Sequence, residues 1–300
     1  MTQTGKVAFI GFGEAATAFR TGWRDAGVTA PVAAFDIKTA SPDPAVSNLK
    51  WSNYAAADVT GGETLAAALD GAAIVLSLVT ADQALDAARA AAACIQDGAL
   101  YCDGNSCAPG TKEEAARLIE AAGGRYVDTA VMAPVYPKRH HTPLLLAGPH
   151  ADAALAALSA LDMKAKVAGP VVGAASSIKM IRSIMMKGME ALFLECVLAG
   201  RKAGVDDVVL SSLDVTYPGF DFKAKAAYMQ ERVMTHGIRR AAEMREVART
   251  VDDLGLGGTM ARAAVEWQQR VGDLKLNAAA IGPDNYGALA DAILAKLDNP

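Results

Sequence analysis

The sequence predicts a doubly wound, parallel α/β domain followed by an all-helical one. Three observations lead there. From residue 5 to about 170, short β-branched runs alternate with Ala-rich helical stretches, the pattern of a parallel sheet covered by helices on both faces. After Gly169-Pro170 the strand-like runs stop, and Ala175–Gly204 carries apolar residues at helical spacing. A chain of 300 residues also exceeds one ordinary core and fits about two domains. The expected division is 1–170 and 171–300.

Taken in order, Lys6–Ile10 reads as a buried strand, Ala15–Ala26 as a helix and Val32–Asp36 as a second strand. Thr64–Leu69 is a short helix leading into the strand Ile74–Val79. Gln83–Cys94 is helical, Leu100–Asp103 a strand, Thr111–Ala122 a helix and Tyr126–Ala130 a strand. Pro143–Gly148 and Lys166–Val167 add strands near the far edge. Residues 84–93 form a helix rather than a linker, because Ala has the highest helix propensity. Beyond residue 204 the helices are punctuated at Tyr217-Pro218-Gly219, Gly255–Gly258 and Gly282-Pro283.

Composition narrows the function. A hydrophobic content of 52% with 21% charged residues excludes disorder. The net charge of −4 argues against nucleic acid, whose binding needs a basic surface. Apolar stretches such as Ala72–Val79 fall far short of the ~20 residues of a membrane span. The opening MTQTGKVAFIGFG has no basic leader and apolar core, so a cytoplasmic location is expected. Cys94, Cys102, Cys107 and Cys196 form no CxxC pair and read as reduced thiols. His140 and His141 are adjacent, which suits a chelate poorly, so no metal is expected.

The chemistry begins at Gly11-Phe12-Gly13-Glu14-Ala15-Ala16, which fits G-x-G-x-x-A directly after a strand and opens a helix. Gly11 permits the tight turn, Gly13 lets backbone approach a pyrophosphate, and Ala16 keeps helix close to strand. The free N–H groups of that helix face the phosphates. Asp36 ends the second strand, where a carboxylate accepts hydrogen bonds from the adenosine ribose. Its charge favours NAD. Lys38, two residues on, offers a cation to a 2′-phosphate and keeps NADP as the alternative.

Three further segments complete a resemblance. Ser77-Leu78-Val79-Thr80 closes the strand begun at Ile74, Asp103-Gly104-Asn105-Ser106-Cys107-Ala108-Pro109 resembles D-x-S-T-x-S-P, and Gly173-Ala174-Ala175-Ser176-Ser177-Ile178-Lys179 resembles G-x-G-x-x-x-K. Over about residues 5–200 the chain thus resembles the β-hydroxyacid dehydrogenase family, which includes 3-hydroxyisobutyrate dehydrogenase and 6-phosphogluconate dehydrogenase. The resemblance implies a Rossmann-type sheet followed by an all-α C-terminal domain of the 6-phosphogluconate dehydrogenase type. It places Leu78, Val79, Thr80 and Asn105 at the cofactor, makes Lys179 the catalytic acid/base, and sets Ser106 and Ser183 beside it. It also implies a homodimer whose helical domains complete each other's clefts. A lysine desolvated in a cleft has its pKa lowered toward neutrality, as proton exchange with an alcohol requires. On an ideal helix Ser183 and Glu190 lie within about 40° of Lys179 and are placed to orient its ammonium group.

Two departures bear on substrate. Four residues after the lysine the family has Asn, and here Ser183 stands. The family's D-A-P-V-S-G-G is here Asp128-Thr129-Ala130-Val131-Met132-Ala133-Pro134, so the Ser-Gly-Gly that receives a carboxylate has become Met132-Ala133-Pro134. Proline has no N–H and methionine no hydroxyl, which argues against 3-hydroxyisobutyrate itself. The stretch 236–246 resembles a poorly characterised helical domain of bacterial phosphogluconate-dehydrogenase-like proteins. His236, Arg239, Arg240 and Glu243 fall on one helical stripe, either an ion-paired face or an anion-binding edge replacing the lost carboxylate seat. The basic loop Tyr136–His141 is a second candidate for reading the substrate.

The resulting expectation is an NAD(P)-dependent oxidoreductase acting on a small polar alcohol, such as a hydroxy acid. Two alternatives share the frame: an imine reductase or reductive aminase, and a dinucleotide-binding protein without turnover.

Overall fold

The computed structural model describes residues 5–298. β1 (Lys6–Ile10) leads into α1 (Glu14–Asp25), and β2 (Val32–Phe35) into α2 (Pro44–Ala56). β3 (Thr60–Gly61), α3 (Leu65–Leu69), β4 (Ala72–Ser77) and α4 (Ala84–Ala92) follow. Then come β5 (Leu100–Asp103), α5 (Pro109–Ala121) and β6 (Arg125–Val131). β7 (Leu144–Ala147), α6 (Ala151–Ala160) and β8 (Ala165–Gly169) complete a sheet of order β3-β2-β1-β4-β5-β6-β7-β8. The order reverses between β1 and β4, and doubly wound sheets bind ligands beyond the carboxyl ends of the strands at such a point.

Alternate residues of β1 serve opposite faces. Val7 and Phe9 join a core with Phe19, Trp23, Tyr54 and Leu146, whereas Ala8 and Ile10 join one with Val75, Tyr101, Ile119 and Tyr126. A strand buried on both faces needs helices on both sides, which the β–α alternation supplies. Phe9 stacks on Trp23 with ring centroids 5.5 Å apart, and each such fully buried apolar side chain contributes about 1.5–3 kcal/mol.

Two features depart from the sequence expectation. β7 runs antiparallel to β6, pairing Asp128 with Ala147 and Val131 with Leu144. The intervening segment has no crossover helix, which a parallel connection would need. Residues 37–63, given no element above, form a short 3-10 turn, α2 and β3. Asp43 caps α2 by accepting from Ala45 N at 2.9 Å, and Pro44 occupies its first position.

The chain divides into two compact units, Met1–Lys179 and Met180–Pro300, so the break falls inside α7 (Ala174–Ala203) rather than at residue 170. α8 (Asp206–Thr216), α9 (Phe222–Asp253), α10 (Thr259–Asp273), α11 (Ala278–Ile281) and α12 (Tyr286–Asp298) make the second unit with the rest of α7. Leu194, Val197 and Leu198 pack there with Val233, Leu289 and Ile293. α9 and α10 cross at two glycines: a Cβ on Gly272 would lie 2.6 Å from the Ile238 nitrogen, so only glycine permits that approach. Among the described residues, no helix is long and apolar enough to cross a membrane.

Candidate active site

The glycine turn closes on the loop after β4. Gly11 has φ +82°, and a Cβ there would sit 2.7 Å from the Leu78 carbonyl oxygen and 2.9 Å from Val79 Cγ1. Leu78 N donates to the Ile10 carbonyl at 2.8 Å. At Gly13 the space where a Cβ would stand is open, leaving a clear approach to the first turn of α1, whose N–H groups have no intrahelical acceptor. Glu14 is exposed, Ala15 half-buried, and Ala16 buried against the sheet. Leu78 and Val79 are half-buried, and Thr80 is exposed.

Asp36 is anchored more firmly than a ribose acceptor at a strand end needs to be. Its Oδ2 accepts from Phe12 N at 3.0 Å and its Oδ1 from Lys38 N at 3.0 Å. Lys50 Nζ lies 3.1 Å from Oδ2 and donates to the Phe12 carbonyl at 2.6 Å. Burial opposes ionisation of Asp36, but the two backbone N–H groups and the Lys50 ammonium outweigh it and hold the carboxyl below its usual range. A carboxylate has about four lone-pair sites, so it can still accept from a ribose. The Lys38 side chain is exposed beside it. The sequence reading missed Lys50, because its helix went unassigned. The open cradle at Gly13, the forced glycine at 11 and the oriented carboxylate together fit a dinucleotide.

Asn105 lies beneath this loop. Its Oδ1 accepts from Val79 N at 2.7 Å and its Nδ2 donates to Ser77 Oγ at 2.9 Å. Both amide atoms are thus engaged in holding the ends of β4 and β5 together. At 3% exposure, Asn105 shapes the expected cofactor loop from below.

Next to it Ser106, half-buried, accepts a hydrogen bond from Lys179 Nζ at 2.6 Å. Sequence spacing alone gave no distance between them. A buried network holds the two segments that carry this pair. Lys112 is fully buried, and its Nζ donates to the Asp103 carbonyl at 2.5 Å and to Asp103 Oδ1 at 2.9 Å. It lies 3.8 Å from Asp128 Oδ1. Asp103 Oδ1 accepts from Asn105 N at 3.0 Å, and Tyr126 OH donates to Oδ2 at 2.7 Å. Asp128 Oδ2 accepts from Gly173 N, Ser176 N and Ser176 Oγ at 3.1, 3.0 and 3.1 Å. Asp128 therefore satisfies N–H groups at the start of α7, less than two turns before Lys179. β5–β6 pairing sets Asp103 opposite Asp128, a register that sequence spacing does not reveal.

Met132 N donates to the Pro143 carbonyl at 2.9 Å, and its side chain packs with Ala130, Ala147, Ala174 and Ala175. Ala133 is half-buried and Pro134 exposed. The basic loop after them folds away from the dinucleotide turn. Arg139 pairs with Asp25, and a Cβ on Gly22 would strike the His140 ring; both partners lie in the last turns of α1, opposite its phosphate-facing end. Arg139 and His140 are thereby committed to the end of α1 rather than to the glycine turn. Adjacency also does not keep the two histidines apart: Nε2 of His140 and of His141 lie 3.3 and 2.8 Å from Asp162 Oδ2. The three side chains form a group of metal-ligand type, which the adjacency argument overlooked. Lys164 also contacts Asp162, at 3.1 Å. All four cysteines are free, and Cys102 and Cys107 are buried.

In the second unit Ser183 is buried, and its Oγ accepts from Lys187 Nζ at 3.3 Å. Glu190 is engaged by Arg240 and by Gln268 Nε2, the latter at 2.8 Å, so its carboxylate serves this unit's own core. Lys187 pairs with Glu243 at 2.6 Å, and Arg239 reaches the same carboxylate at 3.1 Å. His236 is half-buried. Burial and the neighbouring Arg232, Arg239 and Arg240 push its imidazole down to about 4, against a smaller opposite pull from Glu243.

Comparison with known proteins agrees with this geometry. Residues 6–173 match the family described as the NAD binding domain of 6-phosphogluconate dehydrogenase, and residues 201–271 match a domain of unknown function, DUF1932. A conserved hypothetical protein from Sinorhizobium meliloti 1021 is 36% identical, covering 98% of this chain and 97% of its own, with a TM-score of 0.76. A conserved protein of unknown function, described as structurally similar to 3-hydroxyacid dehydrogenases, is 28% identical over 89% of this chain and 97% of its own, with a TM-score of 0.67. The Mycobacterium tuberculosis 3-hydroxyisobutyrate dehydrogenase, solved with L-serine, shares the fold at 17% identity, covering 97% and 99% of the two chains with a TM-score of 0.69. With more than half its length matched, this chain belongs to the family that carries the NAD binding domain of 6-phosphogluconate dehydrogenase, here joined to a C-terminal DUF1932 domain.

Proposed function

We propose that the chain is an NAD(P)-dependent oxidoreductase acting on the CH–OH group of a small polar alcohol, a hydroxy acid or a related hydroxylated compound. The observation that carries this is the 2.6 Å contact between Lys179 Nζ and Ser106 Oγ, made in the same compact unit as the dinucleotide turn. The bound nicotinamide supplies a two-electron hydride acceptor at C4. Lys179, in its neutral form, takes the hydroxyl proton at Nζ while the carbinol C–H bond breaks and a carbonyl forms; reduction returns the proton. Ser106 fixes where Nζ stands, and Asp128 fixes the start of its helix. Asp36 favours NAD, and the exposed Lys38 leaves room for NADP. Met132–Pro134 offers no Ser-Gly-Gly seat for a carboxylate, and the one N–H of Met132 is already donated.

A homodimer belongs to the same proposal. Ile181, Met185 and Leu192 are 49%, 63% and 60% exposed along one side of α7, an apolar row that a second copy would cover. Light scattering on the purified chain tests this, and a monomer at micromolar concentration refutes it.

The activity is tested by screening hydroxy acids and polyols with NAD and NADP while following absorbance of the reduced cofactor. Lys179→Ala is expected to keep cofactor affinity and lose turnover. If no compound gives Lys179-dependent reduction, the dehydrogenase reading fails, and a binding protein without turnover takes its place.

A further inference from the structure

One stripe of α9 carries more positive charge than its surroundings balance. Arg232, His236 and Arg240 recur at every fourth residue, and Arg239 falls between the last two on the same side. Facing residues supply Lys187 and Glu190 from α7 and Glu243 from α9 itself. Among the described residues named here, four cations thus meet two carboxylates, and both carboxylates are engaged. Glu190 serves Arg240 and Gln268, and Glu243 serves Lys187 and Arg239.

Two arginines are left with unmet donors. The Nε atoms of Arg232 and Arg240 are both buried without a hydrogen-bond partner. Leaving a buried charged donor unpaired costs free energy, and native proteins leave few such groups without an acceptor. His236 lies among these guanidinium groups and stays neutral through the neutral pH range, so it adds an uncharged N–H or acceptor rather than further repulsion. The arrangement has two unmet guanidinium donors and a net positive field, with Arg240 mostly buried and Arg239 about half exposed, features that suit an oxyanion.

We infer that Arg232, His236, Arg239 and Arg240 form an oxyanion-binding site in the second unit, for the carboxylate or phosphate of a small ligand. As the seat of an acid substrate's anion, it rests on the dehydrogenase reading. Anion binding itself does not, and is measured without cofactor or turnover.

The experiment follows the His236 ring protons by NMR in the full-length protein, titrated at constant ionic strength with inorganic phosphate and, separately, with acetate. An anion among the arginines raises the His236 pKa. A saturable shift with a midpoint below about 10 mM is expected, and whichever anion binds more tightly identifies the ligand's charged group. Arg232→Ala is expected to weaken binding at least ten-fold, with Arg232→Lys retaining more of it. Lys179→Ala and Arg262→Ala, the latter removing an exposed pair with Asp252, are expected to bind as wild type. If Arg232→Ala does not fold, Arg232→Gln keeps the side chain's bulk and carries the test. The proposal is overturned if neither anion gives a saturable shift, or if binding is unchanged in the Arg232 variants. Loss of turnover in Lys179→Ala with anion binding absent would leave the dehydrogenase reading standing and remove this site alone.

Discussion

Replacing Lys112 with methionine keeps the side chain's length and removes its charge. Lys112 is completely buried, with its ammonium 2.9 Å from Asp103 Oδ1 and 3.8 Å from Asp128 Oδ1. Breaking a buried pair by deleting one partner costs about 3–5 kcal/mol, because the remaining charge stays buried. Asp103 keeps the Tyr126 hydroxyl and the Asn105 N–H, and Asp128 keeps its three donors at the start of α7. The expected loss is therefore at the lower end, about 3 kcal/mol. It is read in urea unfolding followed by tryptophan fluorescence in a Trp267→Phe background, where Trp23 and Trp51 report on the first unit. Burial works to lower the Lys112 pKa, but Asp103, followed by other neighbours including Asp128, raises it above its ordinary 10.5. The stabilisation is then complete below pH 10.5 and is lost as pH climbs through the raised value. Lys112→Met should lack that alkaline loss. A variant within about 1 kcal/mol of wild type, with the same alkaline profile, refutes the reasoning.

Other outcomes follow from the same geometry. Gly11→Ala places a Cβ 2.7 Å from the Leu78 carbonyl at a left-handed φ; calorimetry is expected to show loss of NAD binding and a fall of about 1–3 kcal/mol in stability. Asp36→Asn weakens the hold on the ribose and leaves the Lys50 ammonium without its carboxylate; NAD affinity should drop about ten-fold or more, with the NADP to NAD ratio of kcat/KM rising. Ser106→Ala removes one partner of Lys179 and should lower kcat more than it raises KM in whichever assay the screen identifies. For His236, depressed to about 4 in the folded protein, the unfolded chain binds the extra proton first. Stability should thus decline as pH falls from about 6.5 toward 4, and His236→Gln should reduce that decline in a pH series of thermal melts.

Where the chemistry is local, the sequence displays it. Gly11 to Ala16 and Asp36 are readable because a strand, a turn and a helix N-terminus follow one another within a few residues. Lys179 is picked out only by the resemblance of Gly173–Lys179 to the family's G-x-G-x-x-x-K segment. Lys50 is not, although Asp43-Pro44 offered a cap and a first-position proline that could have revealed α2. Asp103, Lys112 and Asp128 come together through strand register and the docking of α5, which no spacing along the chain encodes. Arg232 stands one turn before a stripe that begins at His236; extending the same periodicity backwards would have included it.

The division between Lys179 and Met180 has a consequence for how such a chain diversifies. Lys179, Ser106 and the glycine turn lie inside one compact unit, with Ser106 and Asp128 of that unit holding Lys179 and the start of its helix. Substitutions along α9 therefore fall in a different compact unit from the glycine turn and from the Asp103–Lys112–Asp128 network. On the proposed function, new ligands come from changing one half, while the glycine turn and the buried network beneath it are kept in the other.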